Sequence, residues 1–220
     1  MKVRANGAEL HYEVFGTGRP ILLLHGNSEN YKIFDRLIEE LQRNFQVYAL
    51  DSRCHGESEK TKEISYDLMA ADTIGFIQTL GIEKPILYGF SDGGIIGLLV
   101  AIREPALLSR LIISGANLDP TGTADSLRWI ARLVYFFTRN KLFKMMLTEP
   151  NIPVEELHKI TIPTHVLAGE KDLIKEKHTR LIAENIPGST LEIIPGERHG
   201  SYIVHSEKIY EILKKYILEG

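Results

Sequence analysis

The sequence predicts an α/β fold: a mostly parallel sheet flanked by helices, with a small helical cap insertion. Three observations carry this expectation. Short, wholly apolar β-rich runs alternate with longer segments of helical periodicity. Gly, Pro and Asp turn signals separate the runs. The same alternation resumes after an apolar interruption at 118–159. Apolar strands alternating with helices are what a parallel sheet covered on both faces requires.

Val3–Arg4 and Leu10–Val14, joined across Asn6-Gly7, read as an opening hairpin. Ile21–Leu24 follows as a fully apolar strand, Tyr31–Leu41 as a helix, and Val47–Leu50 as a strand. Tyr66–Leu80 is a helix stopped by Gly81, then come strand Ile86–Tyr88, helix Asp92–Ile102 and strand Leu111–Ser114. After the interruption, Thr164–Ala168 is a strand, Leu173–Asn185 a helix, Leu191–Ile194 a strand and Glu207–Leu218 a closing helix. The interruption has helical spacing at Leu127, Ile130, Val134 and Phe137, with a second apolar set, Trp129, Leu133 and Phe136, off that stripe. The expected division is a core of 1–117 and 160–220 with a short helical cap of 118–159, all in a single structural domain.

The 220 residues, 44% hydrophobic and 25% charged, suffice for one sizeable core. A net charge of -3, with both signs mixed along the chain, leaves no basic stripe for a nucleic acid. A small-molecule substrate is therefore the expected partner, and the oligomeric state is left open. The single cysteine, Cys54, fits a reducing compartment. The opening MKVRANGAEL lacks the apolar core of a leader, and no apolar run approaches the roughly 20 residues that span a bilayer. The expectation is a cytoplasmic protein without stable membrane insertion.

The strongest chemical motif is Gly89-Phe90-Ser91-Asp92-Gly93, lying between a strand and a helix. A serine on a sharp strand-to-helix turn needs small residues two before and two after it, and Gly89 and Gly93 occupy those places. A serine hydroxyl is a weak nucleophile without a neighbouring base. His199, in a loop after the last strand, is the candidate base, and Asp172, after the preceding strand, is the carboxylate to orient it. Asp119 is the rival acid. Oxyanion donors are expected from the backbone N–H groups of Asp92, at its helix N-terminus, and of Asn27, after the third strand. Each of the other histidines, His11, His25, His55, His158, His165, His178 and His205, reads as a surface residue.

The pieces LLLHGN at 22–27, DSRCHGES at 51–58, GFSDGG at 89–94, GEKD at 169–172, and His199 stand in one order along the chain. In them the protein resembles the α/β-hydrolase superfamily, close to its small esterases and carbon-carbon bond hydrolases. That resemblance implies a serine esterase with Ser91, Asp172 and His199 as catalytic residues. Arg53 and His55 would have structural roles, and Cys54 stands where the superfamily pattern has glycine. No H-E-x-x-H, paired cysteine or carboxylate cluster is present, so neither a metal nor an organic cofactor is expected.

The expected reaction is cleavage of a small, uncharged or hydrophobic carboxylic ester through an acyl-enzyme. The cap aromatics Trp129, Phe136, Phe137 and Phe143, with Leu142, would wall the pocket. A carbon-carbon bond hydrolase or lactonase with the same triad and a non-enzymatic ligand receptor on the same fold are the alternatives. The basic residues Arg128, Arg132, Arg139, Lys141 and Lys144 beside the cap aromatics also permit a membrane-surface reading. A solvated face over a pocket lid is the favoured account of them.

Overall fold

The computed structural model describes residues 1–218, so positions 219–220 of the expected core lie outside the described residues. One eight-stranded sheet runs β1 (Lys2–Ala5), β2 (Ala8–Phe15), β4 (Phe45–Leu50), β3 (Arg19–Leu24), β5 (Ile86–Phe90), β6 (Arg110–Ser114), β7 (Thr164–Lys171), β8 (Thr190–Arg198). β2 pairs antiparallel with β1 and β4, and every pairing from β4 through β8 is parallel. The α/β fold with a mostly parallel sheet is therefore present.

Alternation along the strands sends side chains to two apolar layers. Ile21, Leu23, Val47, Ala49, Ile86, Tyr88 and Ile112 face α1 (Asp35–Leu41) and α7 (Lys208–Ile217). Leu22, Leu24, Leu87, Leu111, Ile113 and Val166 face α2 (Tyr66–Thr79), α3 (Asp92–Arg103) and α6 (Glu176–Asn185). Because crossovers between parallel strands bring each strand in at the same end, the loops after β3, β5, β7 and β8 share one rim of the sheet.

Three helix starts differ from expectation, that of α7 by a single residue, at Lys208 instead of Glu207. Residues Tyr31–Phe34 form a 3₁₀ turn before α1, because the Asn30 side chain accepts the Lys32 amide at 3.0 Å and caps the segment early. α6 begins at Glu176, not Leu173. The three preceding residues are drawn into backbone pairing with the chain leading to the cap: Ala124 N–H donates to Leu173 O, and Lys175 N–H to Gly122 O.

The cap consists of α4 (Asp125–Thr138) and α5 (Lys141–Thr148). Ala131 and Met145 are its buried residues, with Leu127, Val134 and Tyr135 half-buried beside them. The expected single stripe of Leu127, Ile130, Val134 and Phe137 is split: Ile130 and Phe137 are 50% and 74% exposed, on the outward side with Trp129, Leu133 and Phe136.

Candidate functional site

Ser91 directly follows β5, at φ 54° and ψ -114°, and its side chain makes no capping hydrogen bond to α3. A non-glycine residue there is strained, by about 1–3 kcal/mol, and persists only where the surroundings enforce it. The surroundings do so by close backbone approach. A Cβ on Gly89 would sit 2.2 Å from Gly93 O, and one on Gly93 would sit 2.1 Å from Leu24 O.

At the sheet rim, His199 Nε2 lies 3.0 Å from Ser91 Oγ, and His199 Nδ1 lies 2.6 Å from Asp172 Oδ1. Asp172 also accepts the amides of Ile174 at 2.9 Å and Gly169 at 3.1 Å. Burial opposes its ionisation, but the His199 hydrogen bond and charge and these amides outweigh burial and hold the carboxyl below its ordinary range. A hydroxyl bonded to an imidazole whose other nitrogen faces a carboxylate can lose its proton as it attacks an electrophile. The rival Asp119 is elsewhere: it accepts the Thr121 amide at 2.7 Å and lies 3.8 Å from His178 Nε2.

Asn27 and Asp92 meet through their side chains, Asn27 Nδ2 donating to Asp92 Oδ2 at 3.0 Å. Tyr66 Oη donates to the other oxygen of Asp92 at 2.7 Å. Burial pushes the Asp92 carboxyl up despite these two donors. Among the described residues neither backbone amide, Asn27 or Asp92, has a protein acceptor. The Asp92 amide is one of the free donors of a helix start. The loop bearing Asn27 is held by His25, which accepts the Ser52 amide at Nε2 (3.1 Å) and therefore donates from Nδ1 to Gly26 O (2.7 Å). Burial, with the charge of His55 adding to it, lowers the His25 pKa to about 4, so the ring stays neutral.

The surface expectation fails for His11, His25 and His55, which are 5%, 1% and 3% exposed. Their rings take backbone and carboxylate partners in the loops under the rim, including Asp51 Oδ2, 3.0 Å from His11 Nδ1. Arg53 is buried in a two-pronged ion pair with Asp72 of α2. Removing one member of such a pair leaves an unpaired buried charge, so Asp72→Ala is expected to lower unfolding free energy by about 3–5 kcal/mol in urea titration. Cys54 adopts φ 66°, the left-handed conformation that glycine takes at lower cost.

A cleft of about 210 Å³ opens over Ser91 and His199. Its apolar lining is Phe90, Leu127, Phe143, Met146 and Leu173, and Asn27, Ser28 and Glu29 add polar lining. Trp129, Phe136 and Phe137 are not part of it: they are 64%, 63% and 74% exposed. The cap helices pack through Ala131 and Met145, which turns those aromatics to solvent and leaves Phe143 as the aromatic the cap gives the cleft.

Sequence reasoning missed Tyr66, Glu29 and Gly115. A Cβ on Gly115 would lie 2.7 Å from His199 Cε1, so this position after β6 must be bare for the imidazole to reach Ser91. Only a glycine directly following a strand signalled it. Glu29 Oε2 accepts the Gly26 amide at 2.9 Å. Burial raises its carboxyl, against the opposing pull of that amide and the charge of His199.

The fold agrees with comparison to known proteins. A sequence model described as the alpha/beta hydrolase fold matches residues 19–144. The human serine hydrolase BPHL is 27% identical, the match covering 98% of this chain and 85% of that protein. The AB hydrolase superfamily protein YisY of Bacillus subtilis is 29% identical, with 94% of each chain covered. The solved esterase EaEST from Exiguobacterium antarcticum superposes with a TM-score of 0.85 at 24% identity, covering 100% of this chain and 99% of that one. With the family pattern spanning more than half its length and the eight-stranded sheet in place, the chain belongs to the alpha/beta hydrolase family.

Proposed function

We propose that this hydrolase is a carboxylesterase-like serine enzyme that cleaves a small, uncharged or hydrophobic ester through an acyl-enzyme. The observation that carries the reading is the continuous Ser91–His199–Asp172 hydrogen-bond relay at the floor of the cleft. Ser91 Oγ attacks the carbonyl carbon while His199 Nε2 takes its proton, and the carbonyl π pair moves onto oxygen. The amides of Asn27 and Asp92 receive that oxyanion; one such donor is typically worth about 3 kcal/mol of barrier. As the carbonyl re-forms, His199 returns the proton to the departing alcohol oxygen. Water, deprotonated by His199, then attacks the acyl carbon, and His199 gives that proton to the departing Ser91 Oγ as the acid is released. The unpaired, buried Cys54 suits a reducing cytoplasm.

Purified protein is expected to release p-nitrophenol from acetyl, butyryl and octanoyl esters, with the rate falling once the acyl chain outgrows the small cleft. Absence of turnover with all three, together with tight binding of a small apolar ligand, would move the assignment to a receptor on this fold.

Among the described residues, Glu29 and His199 are the ionisable side chains of the cleft wall, and no lysine or arginine accompanies them. A carboxylate there repels a negatively charged substrate across a partly desolvated gap. Glu29→Gln should therefore raise kcat/KM for p-nitrophenyl hydrogen glutarate relative to p-nitrophenyl butyrate by about tenfold. An unchanged ratio would remove Glu29 from substrate selection.

A further inference from the structure

We propose that the outward face of α4 docks the protein on a bilayer carrying anionic phospholipid. Five large apolar side chains project from this one helix: Trp129, Ile130, Leu133, Phe136 and Phe137, between 43% and 74% exposed. Elsewhere among the described residues the exposed large hydrophobics are scattered singly: Met1, Leu173 and Leu218. A contiguous apolar patch of this kind marks an interaction surface.

The charge around the patch selects the partner. α4 and the residue after it carry Arg128, Arg132 and Arg139 against a single acid, Asp125, in a chain whose net charge is -3, while Lys141 and Lys144 of α5 stand beside Glu63 and Glu149. Asp125 is already engaged by Arg128 and Lys175. Among the described residues Arg132, Arg139 and Lys144 have no carboxylate partner and Lys141 donates to Thr61 O, whereas the lysines and arginines of the other α-helices apart from Lys177 are paired, Arg36 with Glu39 and Arg180 with Glu176 among them. Arg139 lies over the rings of Tyr135 and Phe136, at 5.5 and 5.8 Å from their centroids, so the cationic and aromatic surfaces are one surface. Aromatic rings at headgroup depth, with basic side chains reaching lipid phosphates, are the usual composition of an interfacial helix. A second copy of this chain fits less well, because a two-fold pairing would set Arg132 and Arg139 against their own kind.

The docked helix lies on the surface and does not span it: no helix of the described residues is long and apolar enough to cross a membrane. Leu127, on the other side of α4, lines the cleft, so the docked helix lies between the lipid and the cleft and the apolar side chains of its outward face are free to meet the bilayer. The inference does not depend on the chemistry assigned to Ser91.

Trp129 is the sole tryptophan beside nine tyrosines, so fluorescence excited selectively at tryptophan, beyond tyrosine absorption, reports on this face. The full chain is mixed with vesicles of phosphatidylcholine alone or with added phosphatidylglycerol, and co-sedimentation is measured in parallel. The expected result is a blue shift and co-sedimentation with the anionic vesicles only, both reversed by salt. The double variants Arg132→Glu/Arg139→Glu and Phe136→Ser/Phe137→Ser should each weaken vesicle binding by about tenfold or more with thermal unfolding unchanged. No binding to anionic vesicles at low salt, or equal binding to both compositions, would overturn the proposal. A dimer in sedimentation velocity that Phe136→Ser/Phe137→Ser converts to a monomer would also overturn it, assigning the face to a second copy.

Discussion

Ser91→Ala is expected to lower kcat/KM for p-nitrophenyl butyrate by about 10⁴-fold or more, and to leave the fold intact. The size follows from losing the acyl-enzyme route altogether: with no hydroxyl, His199 has nothing to deprotonate but water. What remains is the assistance of the oxyanion donors and the binding of the ester in the cleft. Folding should be nearly untouched because the hydroxyl caps nothing in α3, and its hydrogen bond is the 3.0 Å contact with His199. The strained φ of 54° is enforced by backbone crowding around Gly89 and Gly93, which alanine leaves in place. Two readouts taken together check this: initial rates, and thermal unfolding shifted by no more than a surface substitution would give. A fluorophosphonate should label the parent chain at Ser91 by mass spectrometry and fail to label the variant. Equal turnover by the two proteins would show that hydrolysis does not run through this serine.

The reason so much of this region could be read in advance is that its constraints are local. A nucleophile turn needs bare positions two residues away on each side, and that spacing is written in Gly89 and Gly93. The sheet was legible for a similar reason, since strands buried on both faces are apolar throughout and few other elements are. Tertiary approach was not legible. Nothing near Gly115 in the chain announces that an imidazole from 84 positions later will occupy the space of its missing side chain. Tyr66 reaches Asp92 from the start of α2, and His11 reaches Asp51 across a strand pair. The cap failed for a different reason. Periodicity locates an apolar stripe but does not say which of two stripes faces inward. On α4 the smaller residue, Ala131, takes the packed side because the neighbouring helix comes close, and the larger aromatics are left outside.

Asp172→Asn should reduce kcat by about 10³- to 10⁴-fold with KM little changed. Asp172 does not line the cleft, so substrate binding has no direct stake in it. Its carboxylate takes three donors: Oδ1 accepts from His199 and Ile174, Oδ2 from Gly169. An asparagine has one acceptor oxygen. If that oxygen stays at the Oδ1 position, the amide nitrogen faces the Gly169 N–H, donor against donor. If the group flips, the nitrogen faces His199 Nδ1, which must then accept, placing the ring proton on Nε2 where it cannot take the proton of Ser91. In both orientations the negative charge that steadies the imidazolium during attack is gone. The variant also carries a stability signature with a definite sign. A carboxyl held below its ordinary range in the folded state contributes stability above its unfolded pKa of about 3.9, and loses it as pH falls through the lower folded value. The parent should therefore outlast Asp172→Asn in urea at neutral pH by more than it does in strong acid. Asp119→Asn is the matched comparison, because Asp119 faces Thr121 and His178 and not His199. Its kcat should stay within about twofold of the parent. A retained kcat in Asp172→Asn beside a collapsed one in Asp119→Asn would exchange their roles, and would require His199 to leave the carboxylate it touches at 2.6 Å.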